Sequence, residues 1–143
     1  MLFLLFICLF VCLFVCLFVC LFVCLCFLPE LQLSSDGRFL YASNRDISEP
    51  NLHRSSIAVF AVHADTGRLD PIQCISSLGD HPRHFDLFFD GSLLVVANMN
   101  SDNIVSFGVD PRSGRLTPPP PHAPDGRILH TPKPTQILQA PPF

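Results

Sequence analysis

Three side chains in this sequence have the chemistry to hold and attack a polar substrate: Arg45, Arg83 and His84. A guanidinium is planar and permanently charged, so it offers paired hydrogen bonds to a phosphate or carboxylate. An unperturbed imidazole titrates near pH ~6.5 and can take a proton from an attacking water. Each has a plainer reading beside it. Arg83 can be a surface arginine paired with Asp80 or Asp86, and His84 a strand residue whose ring makes structural hydrogen bonds. His53 and His63 read as solvated, and Phe60, Phe85 and Phe107 as core. Other chemistries have no residues to carry them. There is no Gly-rich phosphate loop, no nucleophile elbow and no paired Cys-His spacing, so no metal and no cofactor are expected.

Those residues must be positioned by short strands, because the sequence repeats itself in short strands. DGRFLYASN (Asp36 to Asn44) reappears as DGSLLVVAN (Asp90 to Asn98), and SIAVFAVHADTGRL (Ser56 to Leu69) as NIVSFGVDPRSGRL (Asn103 to Leu116). The spacing shortens between the two pairs because the first copy carries an insertion around ISEPNLHRS. A period near ~50 residues, built of alternating strands and Gly turns, is the mark of a propeller blade; a β-sandwich would explain the strands but not the repeat. The expected strands are Glu30 to Ser34, Arg38 to Ser43, Ile57 to Val62 and Leu69 to Ser76. The second copy runs His84 to Phe89, Leu93 to Ala97, Ile104 to Val109, and a weak fourth strand from Arg115.

In a four-stranded blade the loop entering the innermost strand shares a face with the loop between strands two and three. Pro82-Arg83-His84 should therefore meet Asn44-Arg45 and Asn98-Met99 on one rim, with the Asp-Gly and Thr-Gly turns at the other end. Asn98 joins Arg45 and Arg83 as a candidate for substrate binding.

The flanks differ from this middle. Residues 1–28 carry no charge, whereas all nine Lys and Arg and all twelve Asp and Glu lie from Glu30 onward. FVCL repeats four times between Phe10 and Leu25. As a helix this segment is long enough to cross a ~30 Å hydrocarbon core. It lacks the basic n-region, cleavage site and flanking Lys or Arg of a signal or anchor. A tandem TTTG tract in DNA also encodes Phe-Val-Cys-Leu, so translated non-coding repeat is the other explanation. The chain is cytoplasmic on that explanation, and membrane-anchored or secreted on the first.

The net charge of −3, with both signs interspersed, gives no footprint for nucleic acid. Cys74 stands alone outside the head, so no disulfide framework is expected. From 118 to 143 the chain is Pro-rich and mostly irregular. Within it, Pro134-Thr135-Gln136-Ile137 falls where Pro82-Arg83-His84-Phe85 falls in the previous unit, as the entering strand of a following blade.

At DGRFLYASNR, SIAVFAV, HPRHF and DGSLLVVANMNSDNIVSFGVDPRSGRL the sequence closely resembles the lactonase family of seven-bladed propellers. That family includes propeller-type 6-phosphogluconolactonases and carboxy-muconate lactonizing enzymes. The resemblance covers residues 30 to 117 and implies an all-β fold: two four-stranded antiparallel blades, the last of the seven, over 29–117, after an apolar helix-like segment 1–28. It implies a small lactone with an anionic group as substrate, held by an arginine at the Pro-Arg motif, here Arg83. It places Glu30 at the start of an inner strand facing the channel, and leaves His84 at a position where the family varies. The family's site also draws on a histidine, an arginine and a glutamate from earlier blades, which this chain has no segment to supply. The expected activity is hydrolysis of a sugar lactone such as 6-phosphogluconolactone. The alternatives are a carboxy-muconate cycloisomerase, a non-catalytic fragment from an incomplete gene model, and a membrane-tethered interaction module.

Overall fold

A computed structural model of the chain describes residues 26–27, 30–46, 55–120 and 128–137. The described residues are all-β, in two antiparallel sheets laid face to face. In the first, β1 (Cys26–Phe27) and β2 (Leu31–Leu33) follow one another along the same edge of β3 (Phe39–Asp46). On the other edge of β3 lies β4 (Ser56–Val62), with Tyr41 opposite Val59, and then β5 (Leu69–Ser76). The register shifts at Val59/Phe60, where Pro71 of β5 stands opposite Phe60. Proline donates nothing to a ladder, and the outermost strand tolerates it.

The second sheet repeats this order with β6 (Pro82–Phe88), β7 (Leu93–Asn98) and β8 (Asn103–Val109). Its outer strand comes in two pieces against β8: β9 (Leu116–Thr117) and β10 (Ile128–His130). The four prolines from Pro118 to Pro121 follow β9 directly, and their missing N–H groups stop that strand after two residues.

The core lies between the sheets. Phe39, Tyr41, Ile57 and Val59 of the first meet Phe85, Leu94, Val96, Val105 and Phe107 of the second, with Leu116 beside them. These are every second residue along their strands, as the two-residue period of a strand requires. Phe60 falls on the other face of β4 and is only half-buried, which corrects its assignment to the core. Phe39 packs so closely on the turn of the second sheet that a Cβ on Gly114 would lie 2.5 Å from its ring; with φ +69° there, only glycine fits. Polar ties flank the apolar layer. Tyr41 Oη donates to Gly114 O at 3.1 Å, and the Gln73 side chain donates to Leu116 O at 2.9 Å while accepting from Leu116 N at 2.7 Å.

Most of the helix-like head expected over 1–28 lies outside the described residues. Its last part differs from that expectation, since Cys26 and Phe27 form a strand against Arg45 and Asp46. Among the described residues no helix is long and apolar enough to cross a membrane. Pro134 to Ile137 are not a strand. They nevertheless retrace the path into β6. Ser77 N donates to Ser55 O just before β4, and Thr131 N donates to Asp102 O just before β8. His81 (φ +60°) then precedes buried Pro82, and Lys133 (φ +42°) precedes buried Pro134. Among the described residues no strand pairs with 134–137, which have the course of an inner strand and no ladder.

Candidate functional site

The rim is assembled where β3, β6 and β7 end. Arg45, next to the last residue of β3, is 5% exposed, and its Nε donates to Pro82 O at 3.2 Å across the gap between sheets. Pro82 in turn pairs with Asn98 at the end of β7. Between Pro82 and His84 the register slips by one, so Arg83 has no partner on β7 and its side chain is exposed. A bulge of this kind re-aims a side chain, and here it turns the guanidinium to solvent beside Arg45. Burial, and then the charge of Arg83, pull the pKa of Arg45 below its usual value. Arg83 forms no ion pair with a described residue. Asp86 instead accepts from Gln32 Nε2 at 2.8 Å, and Asp80 accepts from Ser55 Oγ and Asn100 Nδ2.

Asn98 reaches the same place but is fully buried. Its amide nitrogen donates to Ser77 O at 3.1 Å and Asn103 Oδ1 at 3.0 Å, and Asn103 passes the chain on to Leu78 O. These bonds fasten the crossover between sheets beneath the rim, so Asn98 serves as its support. Gly79 sits inside this network: a Cβ there would come within 2.5 Å of Asn98 Nδ2 and 2.6 Å of Asn103 Oδ1.

His84 lies lower, on β6, between two neighbours. Its Nδ1 accepts from Ile137 N at 3.3 Å, and its Nε2 faces Glu30 Oε2 at 3.9 Å. Accepting at Nδ1 puts the ring proton of the neutral form on Nε2, toward the carboxylate. One nitrogen of His84 is engaged by the backbone and the other faces a carboxylate, which suits a structural role better than that of a base. Glu30, a third exposed, does sit at the start of the inner strand.

One rim residue escaped the reading of the sequence. His81 stands directly before Pro82, where extended backbone is the rule, yet adopts φ +60°. Its N–H donates to Ser55 Oγ at 3.2 Å and its carbonyl accepts from Met99 N at 3.0 Å, so both sheets hold it there. Partial burial and the charges of Arg45 and Arg83 lower the pKa of its ring, against the opposing pull of Asp80. That shift favours the neutral imidazole. The repeat hid it, because Lys133, its counterpart in the next crossing, is not a histidine.

A cleft of about 310 Å³ lies at the opposite end, lined by Gln32, Leu33, Ser35, Leu87, Phe89, Asp90 and Gly91. Its one ionisable side chain is Asp90, and it holds no cation for an anionic ligand, so the arginine rim is the better candidate.

Residues 27–126 match the family described as lactonase, 7-bladed beta-propeller. The chain belongs to this lactonase family. A 6-phosphogluconolactonase of Formosa agariphila is 40% identical over 87 residues, 61% of this chain and 23% of that protein. The 6-phosphogluconolactonase of Bacillus subtilis is 36% identical over 87 residues, 61% of this chain and 23% of its own length. Among solved structures, the periplasmic gluconolactonase PpgL of Pseudomonas aeruginosa superimposes with a TM-score of 0.64 at 29% identity, over 78% of this chain and 27% of that one. This lactonase-family chain thus spans about a quarter of the length of the relatives it matches. The two sheets are blades of such a propeller, and Arg45, His81 and Arg83 lie together on one rim of them.

Proposed function

We propose that the propeller represented by this chain hydrolyses a sugar lactone bearing an anionic group, 6-phosphogluconolactone being the substrate for which its relatives are named. The observation that carries this reading is Arg83, bulged out of the β6 ladder and exposed beside buried Arg45. Two guanidinium groups on one rim offer charge-assisted hydrogen bonds to a phosphate, holding the sugar while water adds to the ring carbonyl and the ring oxygen departs. The products are the hydroxyl and carboxylic acid of the opened sugar.

The test is the opening of 6-phosphogluconolactone by the full chain, read against the spontaneous rate. Arg83→Ala should lower kcat/KM by about 10–100-fold, the worth of a charge-assisted hydrogen bond. Arg83→Lys should restore only part, since an ammonium cannot bind in a fork. A wild-type rate equal to the spontaneous one defeats the reading for this chain. A second reading has its own support: a chain covering about a quarter of its relatives presents only part of their rim. In that case it binds 6-phosphogluconate without turnover.

A further inference from the structure

We propose that His81 is the general base that takes the proton from the attacking water at the Arg45–Arg83 rim. This rests on the lactone-hydrolase reading above and deepens it. Two histidines flank the Pro-Arg pair, and their surroundings are opposite. The ring of His84 is engaged by Ile137 N at Nδ1 and faces Glu30 at Nε2. The ring of His81 makes no hydrogen bond to a described residue and is partly exposed at the rim. Its charged neighbours are Arg45 from β3, Arg83 from β6 and Asp80 from the crossover. Two of the three are the cations that would hold an anionic lactone.

The backbone is built to keep the ring there. A bulky residue at φ +60° is strained by about 1–3 kcal/mol and persists only where its surroundings over-determine it. Ser55 Oγ and Met99 N, one from each sheet, supply that restraint. Partial burial and the charges of Arg45 and Arg83 also favour the neutral imidazole, the state a base needs. The lone pair of His81 accepts a proton from water as the water oxygen bonds to the lactone carbonyl carbon, and the imidazolium returns that proton to the ring oxygen as the C–O bond breaks. One water is consumed, and the base is regenerated.

His81→Asn tests this, because Asn accepts the left-handed backbone without the ring. Measured with the full chain and 6-phosphogluconolactone, kcat should fall about 100-fold or more with KM within about threefold, as for loss of a general base. The acid limb of the pH–kcat/KM profile should vanish with it. His81→Gly, which also suits φ +60°, should regain turnover when imidazole is added, whereas a folding defect would not. His84→Asn should keep most of kcat. A His81→Asn enzyme with kcat near wild type, or one that loses only KM, overturns the proposal while leaving the lactonase reading intact. No turnover by wild type defeats both, and the Arg83 experiment identifies that case.

Discussion

The two ends of these sheets are held together in different ways. At the turn end two carboxylates are satisfied by their own turns. Asp36 accepts from Ser34 Oγ and from Arg38 N and Nε, all within two residues, and Asp110 accepts from Arg112 N and Ser113 Oγ. At the rim the partners are far apart in sequence: Arg45 and Pro82 are 37 residues apart, His81 and Ser55 26, Asn98 and Ser77 21. The turn end is exposed and the rim network is largely buried. A local, solvated hydrogen bond is replaced by water at little cost, whereas a buried donor or acceptor left unpaired carries its full desolvation penalty. The sheets are tied near both ends, but the rim's polar ties are the more deeply buried network, and it is also where the candidate chemistry sits.

Substitutions can break this contrast, beginning at the rim. Gly79→Ala forces a methyl group into Asn98, Asn103 and Ser101, and should cost about 3 kcal/mol, read as a lower urea midpoint. A change too small to measure would mean the crossover is looser than drawn. Asn98→Ala removes two buried donors' bonds and should cost about 2 kcal/mol; because Gly79 and Asn98 touch, the double variant should lose less than the sum.

Tyr41→Phe probes the tie between blades near the turn end and should cost about 1 kcal/mol for one hydrogen bond. Burial, chiefly, pushes the Tyr41 hydroxyl up to about 12 from 10.0. A raised folded-state pKa gives stability that is whole below pH ~10 and is lost as pH rises through about 12, so Tyr41→Phe should flatten alkaline unfolding over that window. Asp36→Asn should be the mildest. Hydrogen bonds from Ser34 and Arg38 lower the Asp36 carboxyl to about 2 from 3.8, so its contribution is present above pH ~4 and lost as pH falls toward 2. The variant should melt like wild type at pH 7 and differ only in acid. A large loss at neutral pH would erase the distinction between the two ends.

His81 adds a pH term of opposite sense to that of Tyr41. A histidine whose folded pKa lies below 6.5 takes up fewer protons than the unfolded chain does, so stability falls as pH drops through 6.5. His81→Asn should remove that slope, as followed by thermal melts between pH 7 and pH 5.

Much of this molecule was readable before its structure. The repeat located both blades, and six of the eight expected strands appear within about two residues of their expected ends. The weak fourth strand of the second blade proved split, because proline interrupts it and β10 resumes only after 127. The gathering of Arg45, Arg83 and Asn98 on one rim followed from blade geometry alone. Their separate fates did not. Nothing local to Asn98 says that Ser77 and Asn103 will bury it, and nothing local to Arg83 announces a bulge. His81 was invisible because the residue before a proline is ordinarily extended, and only Ser55 and Met99, brought from two sheets, hold it otherwise.

The sequence by itself determined what is periodic: alternation sets which face of a strand is apolar, and Asp-Gly or Thr-Gly pairs set where it turns. Those effects act over a few residues, so spacing records them. Tertiary structure decided which polar groups on the rim are supports and which remain open to a ligand. That division depends on burial and on partners far away in sequence, 53 residues between Ile137 and His84 and 26 between Ser55 and His81, which only the folded blades bring within hydrogen-bonding distance.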